Sequence, residues 1–541
     1  MGETAVCARH EKIADILAGV VAVLLATAVL GGVGGTENPA ATIAEALNID
    51  IDPLSVHSYN LHGGESEKEK LINQFHGEIW SIVIWLQRYK KIRIHEEKDG
   101  RVRIFSYLCN PKQKHTVMLQ LQYIKEHTEE IIERLKIKNV QNVEERIAEI
   151  IDLDAQRRAL QQKADAVKAE QNALAKEIGN LFKQGKRDEA EAKKALTAEL
   201  KAQEKELDER QAAVEGDLNA KLISLPNAPH ITVPRGKSEA DNVVVAEFGQ
   251  KPALPADALP HWELCAKYDI VDFELGNKIT GAGFPVYKGK GARLQRALID
   301  FFLDEAVKAG YVEIMPPLMV NEASGLGTGQ LPDKEGQMYA IPLDGFYMIP
   351  TAEVPITNLY RGEIVNADQF PIKHVGYSEC FRREAGSYGK DVRGLNRLHE
   401  FSKVEIVVIE HPDRSYDTLE EMKKHVGGLL DKLGLPYHIL KLCGGDISFT
   451  SAMTFDFEVW SAAQQKWLEV SSVSNFETFQ ANRMKLRFKD GDGKTKLAHT
   501  LNGSALALPR IVAALLENNQ TSDGIVMPEC LRPYLGFDKI G

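Results

Sequence analysis

The chain has 541 residues, 44% of them apolar and 26% charged, with a formal net charge of −11. That length predicts two or three domains of ordinary globular composition. The acidic balance argues against wrapping nucleic acid over the whole surface, so a nucleic-acid partner must meet a local basic patch. The six cysteines (Cys7, Cys109, Cys265, Cys380, Cys443 and Cys530) form no CxxC. Their scatter predicts neither a zinc site nor a disulfide framework, but reduced thiols in a cytoplasmic protein.

Residues 1–117 carry no recognisable motif. Ile16 to Gly35 is an uncharged run just long enough to cross a bilayer, and Ala26-Thr27-Ala28 reads as a signal-peptidase site. Against both, Glu3, Glu11 and Asp15 precede the run and several glycines interrupt it. An extension of unknown role, a mis-assigned start or a membrane segment all fit. Residues 118–225 form the next unit. Tyr123 to Ile151 reads as one or two short helices. From Leu153 the apolar residues recur every seven positions, at Leu160, Val167, Leu174 and Leu181, with Ala164 and Ile178 between them. That is a coiled-coil seam. Phe182 to Asp188 breaks it at Gly185, and Leu196, Leu200, Leu207, Val214 and Leu218 mark a return helix, giving an antiparallel hairpin. Between Arg157 and Lys205 there are 12 Lys/Arg against 8 Asp/Glu, a local positive excess on an acidic chain. By itself this is an ordinary solvated coiled-coil face.

Pro226, Pro229 and Pro234 end the arm, and residues 226–541 read as one large domain. Leu294 to Ala309 is a strongly amphipathic helix leading through Gly310 to a strand over Tyr311–Met315. Strands and helices then mix without regular βαβ alternation, which predicts an α+β antiparallel sheet with flanking helices. A phosphate loop is missing, since Gly493-Lys494-Thr495 has Phe488 where the leading glycine must stand. Cys380 to Glu405, CFRREAGSYGKDVRGLNRLHEFSKVE, reads as strand, basic loop, strand. On a strand Arg382 and Glu384, two apart, face one side. An Arg can fork a phosphate and Phe401 can stack on a base. Alone, this reads first as a surface hairpin with solvated charges.

Four stretches settle that choice: FRREAGSYGKDVRGLNRLHEF from Phe381, TAEVP at Thr351–Pro355, EVSSVSNFETFQANR at Glu469–Arg483, and HTLNGSALALPR at His499–Arg510. In order and spacing they resemble the class II aminoacyl-tRNA synthetases, and the spelling is closest to the seryl-tRNA synthetases. Neither HIGH nor KMSKS, the class I signatures, is present. The resemblance covers about Met118 to Gly541. It implies a class II antiparallel sheet flanked by helices, preceded by a coiled-coil tRNA-binding arm, in a homodimer built through Leu294–Pro317. It implies activation of L-serine with ATP and Mg²⁺ to seryl-adenylate, then transfer to the 3′ end of tRNA(Ser), and also of tRNA(Sec).

Residue by residue, the resemblance gives Arg382, Glu384 and Arg510 the catalytic roles: Arg382 on the α-phosphate, Glu384 near the adenine amino group, Arg510 on the γ-phosphate side. Arg383, Leu398, Phe401 and Glu469-Val470-Ser471-Ser472 complete the ATP site, with Glu469 and Ser472 toward Mg²⁺. Thr351, Ala352, Glu353, Glu405 and Ser504 form the serine pocket. Lys390 and Arg393 reach toward the tRNA acceptor end. A binding or carrier-loading relative that adenylates without charging tRNA is the second reading; such relatives usually lack the arm.

Overall fold

The computed structural model describes residues 92–96 and 102–106, and residues 121–541 apart from 255, 334–335, 385–392 and 492. The chain divides into two compact units, Met1–Lys114 and His115–Gly541. In the first, strands β1 (Ile92–Glu96) and β2 (Val102–Ser106) form an antiparallel hairpin. The Ile16–Gly35 run lies outside the described residues. Among those described, no helix is long and apolar enough to cross a membrane.

The second unit opens with α1 (Leu121–Glu126) and α2 (Thr128–Ile137), then two long helices, α3 (Val143–Lys183) and α4 (Arg187–Ser224). At 1.5 Å per residue each long helix spans roughly 60 Å. The turn between them holds Gly185 at φ 78°, a conformation glycine adopts without a Cβ clash. Leu160, Ala164, Val167 and Leu174 of α3 pack against Leu200 and Leu207 of α4, as the seven-residue period predicts. Two details differ. α3 begins at Val143, ten residues before Leu153, because Val143, Ile147 and Ile150 continue the apolar stripe onto α1, α2 and the end of α4. Leu196, read as a seam residue, is 40% exposed, because it is out of step with the Leu200–Leu207 period.

The remainder is organised around an eight-stranded sheet. Its strands are β3 (Val243–Phe248), β4 (Val312–Glu313), β5 (Ile372–Phe381), β6 (Glu400–Glu410), β7 (Tyr437–Lys441), β8 (Met453–Ser461), β9 (Lys466–Asn475) and β10 (His499–Ala507). They lie in the order β3-β7-β8-β9-β10-β6-β5-β4. Every pairing is antiparallel except β5 with the edge strand β4. Strand alternation gives the sheet two unlike faces. Val404, Ile406 and Val408 of β6, Phe455, Phe457 and Val459 of β8, and Leu501 and Ala505 of β10 enter the main core. Helices α5 (Gly289–Lys308), α6 (Ser415–Leu433) and α7 (Leu508–Asn518) contribute Leu294, Phe301, Phe302, Met422, Leu430, Ile511 and Leu515 to the same core. The residues between, such as Lys403, Glu405, Asp456, Asn502 and Ser504, line a cleft on the opposite face.

Two expectations about this domain need correction. Arg382 and Glu384 do not share a strand face: β5 stops at Phe381, and Glu384 turns out at φ 46°. The strand expected over Tyr311–Met315 is only two residues long, because β4 finds a partner on one side alone. Leu294, Leu298, Phe301 and Phe302 of α5 are buried in the chain's own core, whereas Val307, Val312 and Met315 are 47%, 58% and 90% exposed.

Candidate active site

The cleft over the polar sheet face encloses ≈ 1130 Å³. Its first cluster surrounds Glu405 of β6, which is buried. Lys403, two residues earlier and therefore on the same face, forms an ion pair with it. Lys403 Nζ also donates to Thr351 Oγ1 at 2.9 Å, Thr351 Oγ1 lies 3.3 Å from Glu405 Oε2, and Ser504 Oγ of the adjoining β10 lies 3.5 Å from it. Glu353, also buried, opens the short helix Glu353–Thr357. Its Oε1 accepts from Gln480 Nε2 at 2.6 Å, and the Gln480 carbonyl accepts from Thr500 Oγ1 at 2.7 Å. Burial, then the nearby Glu405 charge, push the Glu353 carboxyl up to about 7. One cation against two buried carboxyls leaves the cluster poised to accept a small ammonium, with hydroxyls at hand for a second polar group.

The second cluster lies where β5 ends. The Arg382 backbone N–H donates to His399 O at 2.9 Å, tying the strand's exit to the start of β6. Its Nε donates to Pro350 O at 3.3 Å, and its guanidinium sits 5.2 Å from the Phe401 ring centroid. Glu384 pairs with Arg397 at 3.2 Å. Leu398 lines the cleft beside them. A forked cation, an aromatic face and a carboxylate thus converge although the strand-face argument for them fails.

The third cluster joins β8, β9 and the first turn of α7. Arg510 donates from Nε to Asn396 O at 2.9 Å and from Nη1 to Glu469 O at 2.6 Å. Its Nη1 also lies 3.7 Å from Glu469 Oε2. Ser472 Oγ is 3.4 Å from Glu469 Oε1. Across the ladder from Ser472 stands Asp456, whose Oδ1 is buried without a hydrogen-bond partner. Burial, then the Glu469 charge, raise the Asp456 carboxyl well above its ordinary range. Such an oxygen is a fit for a hard cation. Among the described residues, however, no group of three or more His, Cys, Asp or Glu is placed to hold a metal alone.

Four expected site residues direct their side chains to protein partners instead of into the cleft. Arg383 turns to the Tyr339 ring, 5.9 Å from its centroid, because its backbone N–H is tied to Gln337 O. Ala352 packs its methyl into a small apolar cluster with Ile356 and Val407. Val470 buries its side chain in the main core while bordering the cleft. Ser471 Oγ is committed to Ser504 O at 2.5 Å. Arg393 lies over the Trp262 ring at 4.8 Å. Lys390 falls outside the described residues.

Residues 118–229 match the seryl-tRNA synthetase N-terminal domain, and residues 340–519 match the tRNA synthetase class II core domain (G, H, P, S and T). A serine–tRNA ligase of Salinibacter ruber is 50% identical over 426 residues, which cover 78% of this chain and 99% of that protein. One from Chlorobaculum parvum is 47% identical over 429 residues, covering 78% and 100%. The chain belongs to the seryl-tRNA synthetase family. The solved structure of the seryl-tRNA synthetase from Pyrococcus horikoshii complexed with ATP is 32% identical, with a TM-score of 0.72, covering 78% of this chain and 99% of that one. Sequence reasoning passed over Lys403, Asp456 and Gln480. The first two had a signal: Lys403 shares the parity of Glu405, and Asp456 alternates with Phe455 and Phe457. Gln480 lies within the quoted Glu469–Arg483 stretch, but only the fold brings it to Glu353.

Proposed function

We propose that this cleft activates serine with ATP and passes the seryl group to tRNA(Ser). The chain is a serine–tRNA ligase. The observation that supports the division of labour best is the convergence of Thr351, Glu353, Arg382, Glu405, Glu469, Ser504 and Arg510 on one cleft. The Glu353–Lys403–Glu405 cluster takes serine: carboxylates face its ammonium, and Thr351 and Ser504 face its polar groups. A ligand lacking the hydroxyl leaves such partners unpaired, which gives discrimination. Arg382 holds the α-phosphate, where negative charge grows as the serine carboxylate attacks; Arg510 holds the far phosphates; Phe401 and the Leu398 backbone seat adenine. Holding the two reactants in line supplies much of the rate, and cationic donors aimed at the developing charge supply most of the rest. The step forms a carboxylate–phosphorus bond and expels pyrophosphate. The tRNA terminal hydroxyl then attacks the seryl carbonyl and AMP leaves.

Mg²⁺, when bound, screens phosphate charge; Glu469, Ser472 and Asp456 would hold it, with ATP oxygens completing the shell. Residues 118–225 act as the tRNA-binding arm and 226–541 as the catalytic domain. A two-fold dimer through the exposed apolar edge at Val312, Met315, Leu318 and Met319 fits the commonest closed symmetry. Cytoplasmic residence is consistent with the free thiols of Cys265, Cys380, Cys443 and Cys530. The test is serine-dependent ATP–pyrophosphate exchange followed by charging of tRNA(Ser). Exchange without charging would favour a carrier-loading relative, and exchange with another amino acid in preference to serine would overturn the pocket assignment.

A further inference from the structure

We infer that the buried pair Glu517–His261 is a positioning device for the descending limb of the loop after Arg382, and through that limb for ATP. The inference rests on the adenylation reading above. Residues 395–398 line the cleft, but β6 begins only at Glu400, so their backbone groups have no strand ladder to satisfy them. They are held from behind. The Leu395 backbone N–H donates to His261 Nε2 at 2.9 Å. A backbone N–H can only donate, so Nε2 presents a lone pair and the ring proton sits on Nδ1, which meets Glu517 Oε1 at 2.8 Å. Both side chains are completely buried. Gly394, at φ 67°, lets the limb come this close, since a Cβ there would overlap His261 Nε2.

Glu517 lies on α7 seven residues after Arg510, two turns along the same helix face. One helix therefore grips the limb twice: Arg510 Nε at Asn396 O, and Glu517 through His261 at Leu395 N. Gln464 adds a third grip. Its Nε2 donates to Glu517 Oε1 at 3.0 Å, and its Oε1 accepts from Asn396 Nδ2 at 3.0 Å. The Glu517 carboxylate also accepts the His261 and Ala463 backbone N–H groups, at 3.0 and 3.2 Å, and the Ser461 hydroxyl. Burial alone would raise its pKa, but these donors hold it below the usual carboxylate range. A carboxylate so fully occupied cannot swing, so the ring it orients cannot either.

The test compares His261→Asn and His261→Gln in the full chain. Asn reaches Glu517 but falls short of Leu395, whereas the longer Gln places its amide oxygen where Nε2 stood. ATP and serine affinities are measured separately by calorimetry, alongside the ATP and serine KM values of pyrophosphate exchange. His261→Asn is expected to weaken ATP about tenfold or more by leaving a buried N–H unpaired, while serine affinity holds; His261→Gln should recover most of the loss. Equal losses for both ligands, or Gln no better than Asn, would mean that His261 merely fills the core. If neither variant folds, Gly394→Ala moves the limb away from the ring without cutting the core, and unchanged ATP affinity in that variant overturns the proposal. A wild-type chain that binds ATP but gives no serine-dependent exchange defeats the adenylation reading, and the calorimetric comparison still decides the role of the pair.

Discussion

Past Asp154 at its root, the arm α3–α4 buries only aliphatic side chains, and its ion pairs stand at the surface, as in Lys193–Glu177 with side chains 37% and 53% exposed. The cleft does the reverse. Glu353, Lys403 and Glu405 are 6%, 5% and 1% exposed, and Lys403 and Glu405 share Thr351 Oγ1 as a partner. Charge on the arm is held in water, where its placement costs little and its long-range field remains available to a polyanion. Charge in the cleft is held out of water, where an unbalanced group is expensive until a ligand of complementary charge arrives. One region can exchange its charges freely and the other cannot, and substitutions should separate along that line.

The largest effect is expected at Arg382. Arg382→Ala removes a donor aimed at the phosphate whose charge grows in the transition state, at a cost on the order of 3 kcal/mol or more, so exchange should fall by at least about a hundredfold. Its remaining contacts are one bond to Pro350 O and the Phe401 face, so the melting temperature should stay near wild type. Near wild-type exchange sinks the assignment.

Next comes removal of the arm. A cut at Leu153 and Leu218 would take Leu218 from the root cluster it shares with Ile124, Ile147 and Leu222. Replacing residues 160–210 with a short turn leaves that cluster whole. On the reading that the arm serves tRNA and the cleft serves serine and ATP, the shortened chain should keep serine-dependent exchange and lose tRNA charging. Full charging by the shortened protein would show that the arm does not read the tRNA.

The two regions were not equally legible from sequence. The arm's seam has a period, and Leu160, Val167 and Leu174 disclose it without any tertiary knowledge; what was missed is its start, where Val143 to Ile150 pack on other helices, and Leu196, which is out of step with the seam. In the cleft, strand alternation exposes a face but not its neighbours. Glu405 and Ser504 meet because β6 pairs with β10, a register set 99 residues apart. Gln480 reaches Glu353 only through the fold, and Arg382 reaches the cleft from a strand's end, not from its face. The resemblance to a known family named most of these residues before their geometry did.

A smaller effect should appear in pH dependence. Glu353 is raised to about 7 by burial and by Glu405, so in the free chain it is largely neutral below that pH and ionised above it. Serine's ammonium prefers the ionised form, so kcat/KM for serine should climb through about pH 7 and level off above it. The stability sign is opposite: the folded chain keeps this proton after the unfolded chain has lost it, so the group's contribution to stability declines as pH rises from the ordinary carboxylate range to about 7. Glu353→Gln should flatten both profiles, lowering serine affinity most above about pH 7 and little well below it. A serine profile that keeps its rise in the Gln variant would assign the titration elsewhere.

The smallest effect is the sharpest test of the contrast. Lys193 and Glu177 face each other across the two arm helices at 2.7 Å, a distance that on geometry alone suggests a strong bond. Both side chains remain substantially solvated, and holding two long rotamers in one geometry costs entropy, so the pair should couple by less than about 0.5 kcal/mol. A double-mutant cycle with Lys193→Ala and Glu177→Ala, read by denaturant unfolding, measures that coupling directly. The same Lys193→Ala variant should charge tRNA less well at low salt, and the deficit should shrink as salt rises, because the lost charge acts through its field. Coupling above about 1 kcal/mol would place the arm's ion pairs among its structural bonds, and the division between a solvated charge surface and a buried charge cluster would fail at its simpler end.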